Sequence, residues 1–132
     1  MDTRGEKSAL ILIDHGSRLD EANRLIEALA DRIQRRRPDI IIAFAHMELA
    51  DPDLGSAFAS CVDRGARSVV IVPYFLAPGN HVSHDVPRLA RDAAKPYPSV
   101  PWKVAAPLGL DDRLVEIVLD RAADALKVID AN

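Results

Sequence analysis

The hydrophobic pattern opens with Leu10-Ile11-Leu12-Ile13, four apolar residues in a row that stop at Asp14-His15-Gly16-Ser17. A short apolar run closed by polar residues and glycine predicts a strand buried on both faces. From Asp20 to about Arg36 the rhythm changes. Ala22, Leu25, Ile26, Leu29, Ala30 and Ile33 recur at helical spacing, and Pro38 ends that helix. Ile40 to Ala45 is a second buried run, closed by His46-Met47-Glu48. Asp51-Pro52 reads as an N-cap with proline at the first helical position. The helix it opens runs through Leu54, Phe58 and Cys61 to Gly65, a C-capping glycine. Ser68 to Val72 forms a third strand, ended by Pro73. A loop over Tyr74 to Asn80 leads into a third helix, from near His81 to Lys95. Pro96, Pro98 and Pro101 exclude helix from the next connection, and Trp102 to Ala105 makes a short fourth strand. Asp111 or Asp112 caps a last helix through Leu114, Val115, Val118, Leu119, Ala122 and Leu126.

Four β-α units with continuous apolar strands predict an α/β fold: one three-layer α/β/α domain around a four-stranded parallel sheet. The 132 residues favour a single domain over 1–132, with its core over about 8–129. At this size folding buries roughly two thirds of the unfolded surface. A net charge of -3 argues against general binding to nucleic acid or a membrane surface. The one dense basic run, Arg35-Arg36-Arg37, sits where positive charge favours a helix C-terminus. No apolar stretch approaches the ~20 residues of a membrane helix, and Met1 to Lys7 resembles no signal peptide. The lone cysteine, Cys61, forms no intrachain disulfide and reads as core packing. These features fit a cytoplasmic protein.

The chemistry gathers at one rim. In an open parallel sheet, ligands bind beyond the carboxyl ends of the strands, where the strand order reverses. All four histidines fall at or beyond such ends. His15, in DHGSR, follows strand one; His46 closes strand two; His81, in APGNH, and His84 follow strand three. Imidazole ligates borderline metals and exchanges a proton near neutral pH, so His15 and His81 are the leading site residues. His46 fits a satisfied core histidine as well as a site residue. His84, one turn beyond His81 on a helix, reads as solvent-facing. Gly16 permits a sharp turn, after which Ser17 and the turn amides are candidates for an anion at the helix N-terminus. Many sheet proteins share that turn, and Pro78-Gly79 marks only another. The chain holds no GxGxxG, GxxxxGK[ST], HExxH or paired CxxC, which weakens nucleotide cofactors and a zinc knuckle as readings.

These segments resemble a known family. DHGSR at 14–18 with EAN at 21–23, HMELADP at 46–52, GARSVVIVPYFLAPGNHVSHDVP at 65–87 and APLG at 106–109 resemble the small class II tetrapyrrole chelatases. The type is the sirohydrochlorin cobaltochelatase and ferrochelatase, CbiX- or SirB-like. The likeness runs from Leu10 to about Arg121, and HMELADP with DHGSR is most similar to the short plastid ferrochelatases. The resemblance implies insertion of a divalent metal into sirohydrochlorin, towards sirohaem or cobalamin. By resemblance His15 is a metal ligand and proton acceptor, His81 the second metal ligand, and Glu48 an acid or ligand near the metal. Fe2+, Co2+ or Ni2+ would be a substrate rather than a resident cofactor. Asp14 stands where many relatives have glycine. Plastid relatives carry a cysteine-rich tail for an iron–sulfur cluster. This sequence has none, so no cluster is expected. Some relatives hold two copies of the unit, so the resemblance implies a homodimer forming one cleft, with Leu119 and Leu126 either there or in the core.

A free macrocycle carries two pyrrole N–H protons where the metal must go. Neutral His15 and His81 would bind the ion and strip some of its waters. A nearby imidazole or Glu48 would take the protons, a step worth about 10²–10⁴-fold. Arg18 and Ser17, with Arg88 further off, are the nearest partners for substrate carboxylates. Activity is expected to fall on acidification, and a profile flat from roughly pH 5 to 8 would contradict the histidine role. One rival is a metal or tetrapyrrole carrier that never releases metal into a ring. Another is a histidine phosphatase, which needs arginine directly before the histidine; Asp14 occupies that position. The sequence leaves open the metal, the pathway and whether a dimer takes one macrocycle or two.

Overall fold

Alternation within the long strands sorts the core into two layers. The computed structural model describes residues 7–131, without the His81 side chain. Strands β1 (Lys7–Asp14), β2 (Ile41–His46), β3 (Ala66–Pro73) and β4 (Trp102–Val104) form one parallel sheet in the order β2-β1-β3-β4. Ala9, Ile11 and Ile13 of β1 point to one face, with Ile41, Ala45, Val69 and Ile71. There they pack on α2 (Leu54–Asp63) and α3 (Val86–Ala94), around the fully buried Phe58. Leu10 and Leu12 point the other way with Ile42, Phe44 and Val72, against Ile26 and Ala30 of α1 (Asp20–Arg36). Both faces of β1 are thus covered, which is why its sequence is continuously apolar. The strand order reverses between β1 and β3, placing a switch point beside the end of β1.

Several local expectations change. Asp53, not Asp51, caps α2: its Oδ1 accepts from the Ser56 amide at 2.8 Å. Pro52 lies ahead of the helix, and its carbonyl accepts from the His46 amide at 2.8 Å. The helix expected over 81–95 divides into a π turn (His81–Asp85) and α3. Pro87 explains the division, because it has no amide to give to Ser83 and the turn before it widens.

The last helix departs furthest. α4 (Asp112–Asp130) is capped by Asp111, whose Oδ1 accepts from the Arg113 amide at 2.9 Å. Yet none of its residues is buried. Val118, Leu119 and Leu126 are 65%, 57% and 56% exposed. The core expected to reach residue 129 has its last buried residue at Ala94, with Trp102 and Val104 packed against it. Periodicity reveals an apolar stripe on a helix but not the surface that covers it. On the sheet, α1 lies mainly over β1 and β2, and Val70 of β3 is 40% exposed.

Candidate active site

The site begins where β1 and β2 end. Asp14 and His46 are their last residues and stand opposite one another in the parallel register. Both continue the rows that face α1, Leu10-Leu12-Asp14 and Ile42-Phe44-His46. His46 is 1% exposed, and its Nδ1 lies 2.5 Å from Asp14 Oδ1. The Phe44 ring meets the imidazole edge-on at 5.8 Å. His46 is therefore a buried, satisfied histidine, the plainer of its two readings.

Backbone pairing then continues past the strands. The Met47 amide donates to the Asp14 carbonyl at 2.9 Å, and the Glu48 amide to the His15 carbonyl at 3.1 Å. This brings Glu48 Oε1 to 3.1 Å from His15 Nε2, at a solvent-open edge. His15 Nδ1 lies 3.2 Å from the Gly16 carbonyl. A ring donating from Nδ1 presents Nε2 as its ligating nitrogen, and the carboxylate beside Nε2 is both a base and an oxygen donor. Gly16 makes the approach possible. Its φ is +92°, and a Cβ there would sit 1.9 Å from the Glu48 carbonyl oxygen. Leu49 holds the opposing loop at a φ of 71°, unusual for a branched residue.

Past Gly16 the chain is tied to α1. Asn23 Oδ1 accepts from the Ser17 amide at 2.9 Å, and Asn23 Nδ2 donates to the Ser17 carbonyl at 2.7 Å. Ser17 Oγ accepts from the Leu19 amide at 3.0 Å. The Ser17 amide, expected to face an anion, is thus committed to Asn23, which the sequence offered only as part of EAN and without a role. Asn in the first turn of a helix that follows a glycine turn was the available signal. Ser17, Arg18, Asn23, Arg24, His46 and Asp51 line an open cavity of about 340 Å³ between α1 and the 46–51 loop. Arg18 is exposed at its edge.

The remaining predicted residues lie across the switch point. His81 opens the π turn beyond β3, the neighbour of β1. Its side chain is outside the described residues, so the expected meeting of its ring with His15 is too. His84 is exposed, as expected. Arg88 is exposed and lies 3.7 Å from Asp85. Among the described side chains, no three His, Cys, Asp or Glu residues gather into a metal site. Asp14–His46 and His15–Glu48 are instead two adjacent pairs, one buried and one open.

The CbiX family model matches residues 9–125. Over 128 residues the chain is 38% identical to the chloroplastic sirohydrochlorin ferrochelatase of Arabidopsis thaliana, covering 97% of this chain and 57% of that one. It is 30% identical over 139 residues to the sirohydrochlorin cobaltochelatase of Methanococcus maripaludis, covering 86% of this chain and 96% of that one. In three dimensions it is similar to the sirohydrochlorin chelatase SirB from Bacillus subtilis subspecies spizizenii in complex with cobalt. That likeness has a TM-score of 0.84 at 30% identity, over 89% of this chain and 50% of SirB. The chain thus spans about half of the plant and Bacillus proteins and nearly all of the archaeal one.

Proposed function

The chain belongs to the CbiX family, and from that premise we propose that it is a sirohydrochlorin chelatase, inserting Fe2+ or Co2+ into the macrocycle. One observation carries the reading: His15 and Glu48 meet at 3.1 Å on the carboxyl edge of β1, beside the switch point. Each insertion places one divalent ion in the ring and releases two pyrrole protons. His15 Nε2 receives the ion, and as the ring nitrogens are deprotonated Glu48 takes one proton and solvent water at the open edge takes the other. By resemblance, His81 is the second ligand. Arg18 and the Ser17 hydroxyl meet carboxylates of the tetrapyrrole. The reaction changes no oxidation state, so it needs no resident redox cofactor.

The working unit in this reading is a homodimer. The cavity of about 340 Å³ lies near the lower end of small-molecule sites, about 300–1,000 Å³, so a broad macrocycle needs a second wall. The matched segment takes up 89% of this chain but 50% of SirB; a second copy supplies a second segment of that size. An unpacked apolar helix, α4, and the uncovered half-face at Val70 of β3 occur in the same chain. We place α4 of each copy against the other copy. Among the described residues, no helix is long and apolar enough to cross a membrane. Cys61 is a free, buried thiol, as the reducing cytoplasm allows.

The test follows metal insertion by the absorbance of sirohydrochlorin, with Fe2+, Co2+ and Ni2+ in turn. The wild-type chain is expected to accelerate insertion over metal alone. His15→Ala, His81→Ala and Glu48→Gln are each expected to lose about 10²-fold or more in initial rate. Wild-type turnover in His15→Ala or His81→Ala removes that residue from the ligand set. A wild-type chain that binds metal without accelerating insertion is a carrier instead.

A further inference from the structure

His46 is the one buried polar or charged residue among the described core, and the chemistry above does not use it. We propose that Asp14 and His46 form a positioning pair that sets His15 and Glu48 at their working separation; the inference rests on the chelatase reading of that site.

Burying an ionisable pair stabilises a fold no better than apolar side chains of the same size. The neighbouring positions facing α1, Leu12 and Phe44, show that this layer accepts such side chains. What the pair adds is direction. A hydrogen bond of 2.5 Å fixes the last side chain of β1 to the last side chain of β2. The residues that follow on each side are joined by the Met47 and Glu48 amides, which donate to the Asp14 and His15 carbonyls. Beyond those two bonds the chains part: Gly16 turns towards α1, and Leu49 enters the loop that ends at Pro52. The pair therefore closes the last rigid point before the two site residues. His15 is one residue past Asp14, and Glu48 two past His46. The His46 amide is itself held by the Pro52 carbonyl at 2.8 Å, so the imidazole is anchored from the far end of the same loop. Without the pair, two backbone bonds at a solvent-open edge are left to hold the separation of 3.1 Å between His15 Nε2 and Glu48 Oε1.

Groups that orient a ligating histidine from behind typically alter metal affinity or activity by about 10–100-fold when removed. His46 borders the cavity but is 1% exposed and so offers the macrocycle almost no surface; the loss therefore belongs in kcat. The experiment compares Asp14→Ala, His46→Leu, the double variant and His46→Asn, all below their melting temperatures. Asn places an amide nitrogen near the position of imidazole Nδ1 and keeps the bond to Asp14. The expected result is a kcat lowered about 10–100-fold in both single variants with KM for sirohydrochlorin unchanged. The double variant loses no more than either single one, because the two residues act as a unit. His46→Asn recovers most of the turnover. In parallel, the visible absorption of Co2+ bound without macrocycle shifts in His46→Leu and returns in His46→Asn. A KM that rises with the fall in kcat, losses that multiply in the double variant, or an unchanged Co2+ spectrum in His46→Leu overturns the proposal. Because the Co2+ spectrum needs no turnover, an inactive wild-type chain overturns the chelatase reading and still leaves the pair tested.

Discussion

At the scale of single residues, Gly16 carries the sharpest steric requirement. Its positive φ and the 1.9 Å approach of the Glu48 carbonyl leave no room for a methyl group. Gly16→Ala is expected to lower stability by about 2 kcal/mol or more, since a non-glycine residue held in this region already costs about 1–3. Urea denaturation reads that loss. Turnover should fall as well, because relief of the clash moves Glu48 away from His15. Cys61 makes a different prediction. Burial pushes its thiol up to about 11, from 9.0. The folded chain therefore holds this proton longer than the unfolded chain does. The contribution is complete below pH 9 and is lost as pH rises towards 11. Alkylation at pH 8 should be slow in the folded protein and fast in urea; fast labelling of the folded chain would contradict the burial. The Asp14–His46 contact was half legible in the sequence. Both residues visibly end apolar runs, but only the register makes them opposite.

At the scale of elements, the three helices on the sheet follow from their apolar stripes, and their ends follow from local chemistry. Asp53 satisfies the Ser56 amide, and that bond holds its carboxyl below the ordinary range. The carboxylate thus stabilises α2 above the ordinary Asp pKa and loses that effect as pH falls through the lowered one. Asp53→Ala is expected to cost about 1 kcal/mol near neutral pH, with a smaller difference from wild type in acid; equal melting temperatures at pH 7 would remove the cap. Asp51-Pro52 looked like the cap because the pattern of acid then proline is the same one helix starts use. The carbonyl of Pro52 is instead spent on His46. The π turn at His81–Asp85 was not legible as such, although Pro87 was its visible cause.

At the scale of the whole molecule, the proposed dimer rests on α4. Its 19 residues extend about 28 Å and expose Val118, Leu119 and Leu126. A standard interface takes about 800 Å² from each partner. If α4 packs on a second copy, wild type sediments as a dimer at micromolar concentration. Leu119→Asp with Leu126→Asp should then sediment as a monomer with its sheet intact by circular dichroism. Because the macrocycle needs two walls in this reading, the monomer should also lose turnover. A monomeric wild-type chain with full activity would remove the dimer from the mechanism.

What the sequence determined by itself was local and periodic. Strand and helix order, the two-sided burial of β1 and the placing of all four histidines at or beyond strand ends follow from spacing, which solvent exclusion converts into structure. The tertiary structure alone decided what lies opposite what. Parallel register sets Asp14 against His46, the glycine turn presses Gly16 onto Glu48, and no residue of α4 is buried by the described residues. The physical reason is that periodicity records which face of an element avoids water. Contacts between residues some 30 positions apart depend on how those elements are stacked and paired, and one strand's pattern is compatible with many partners.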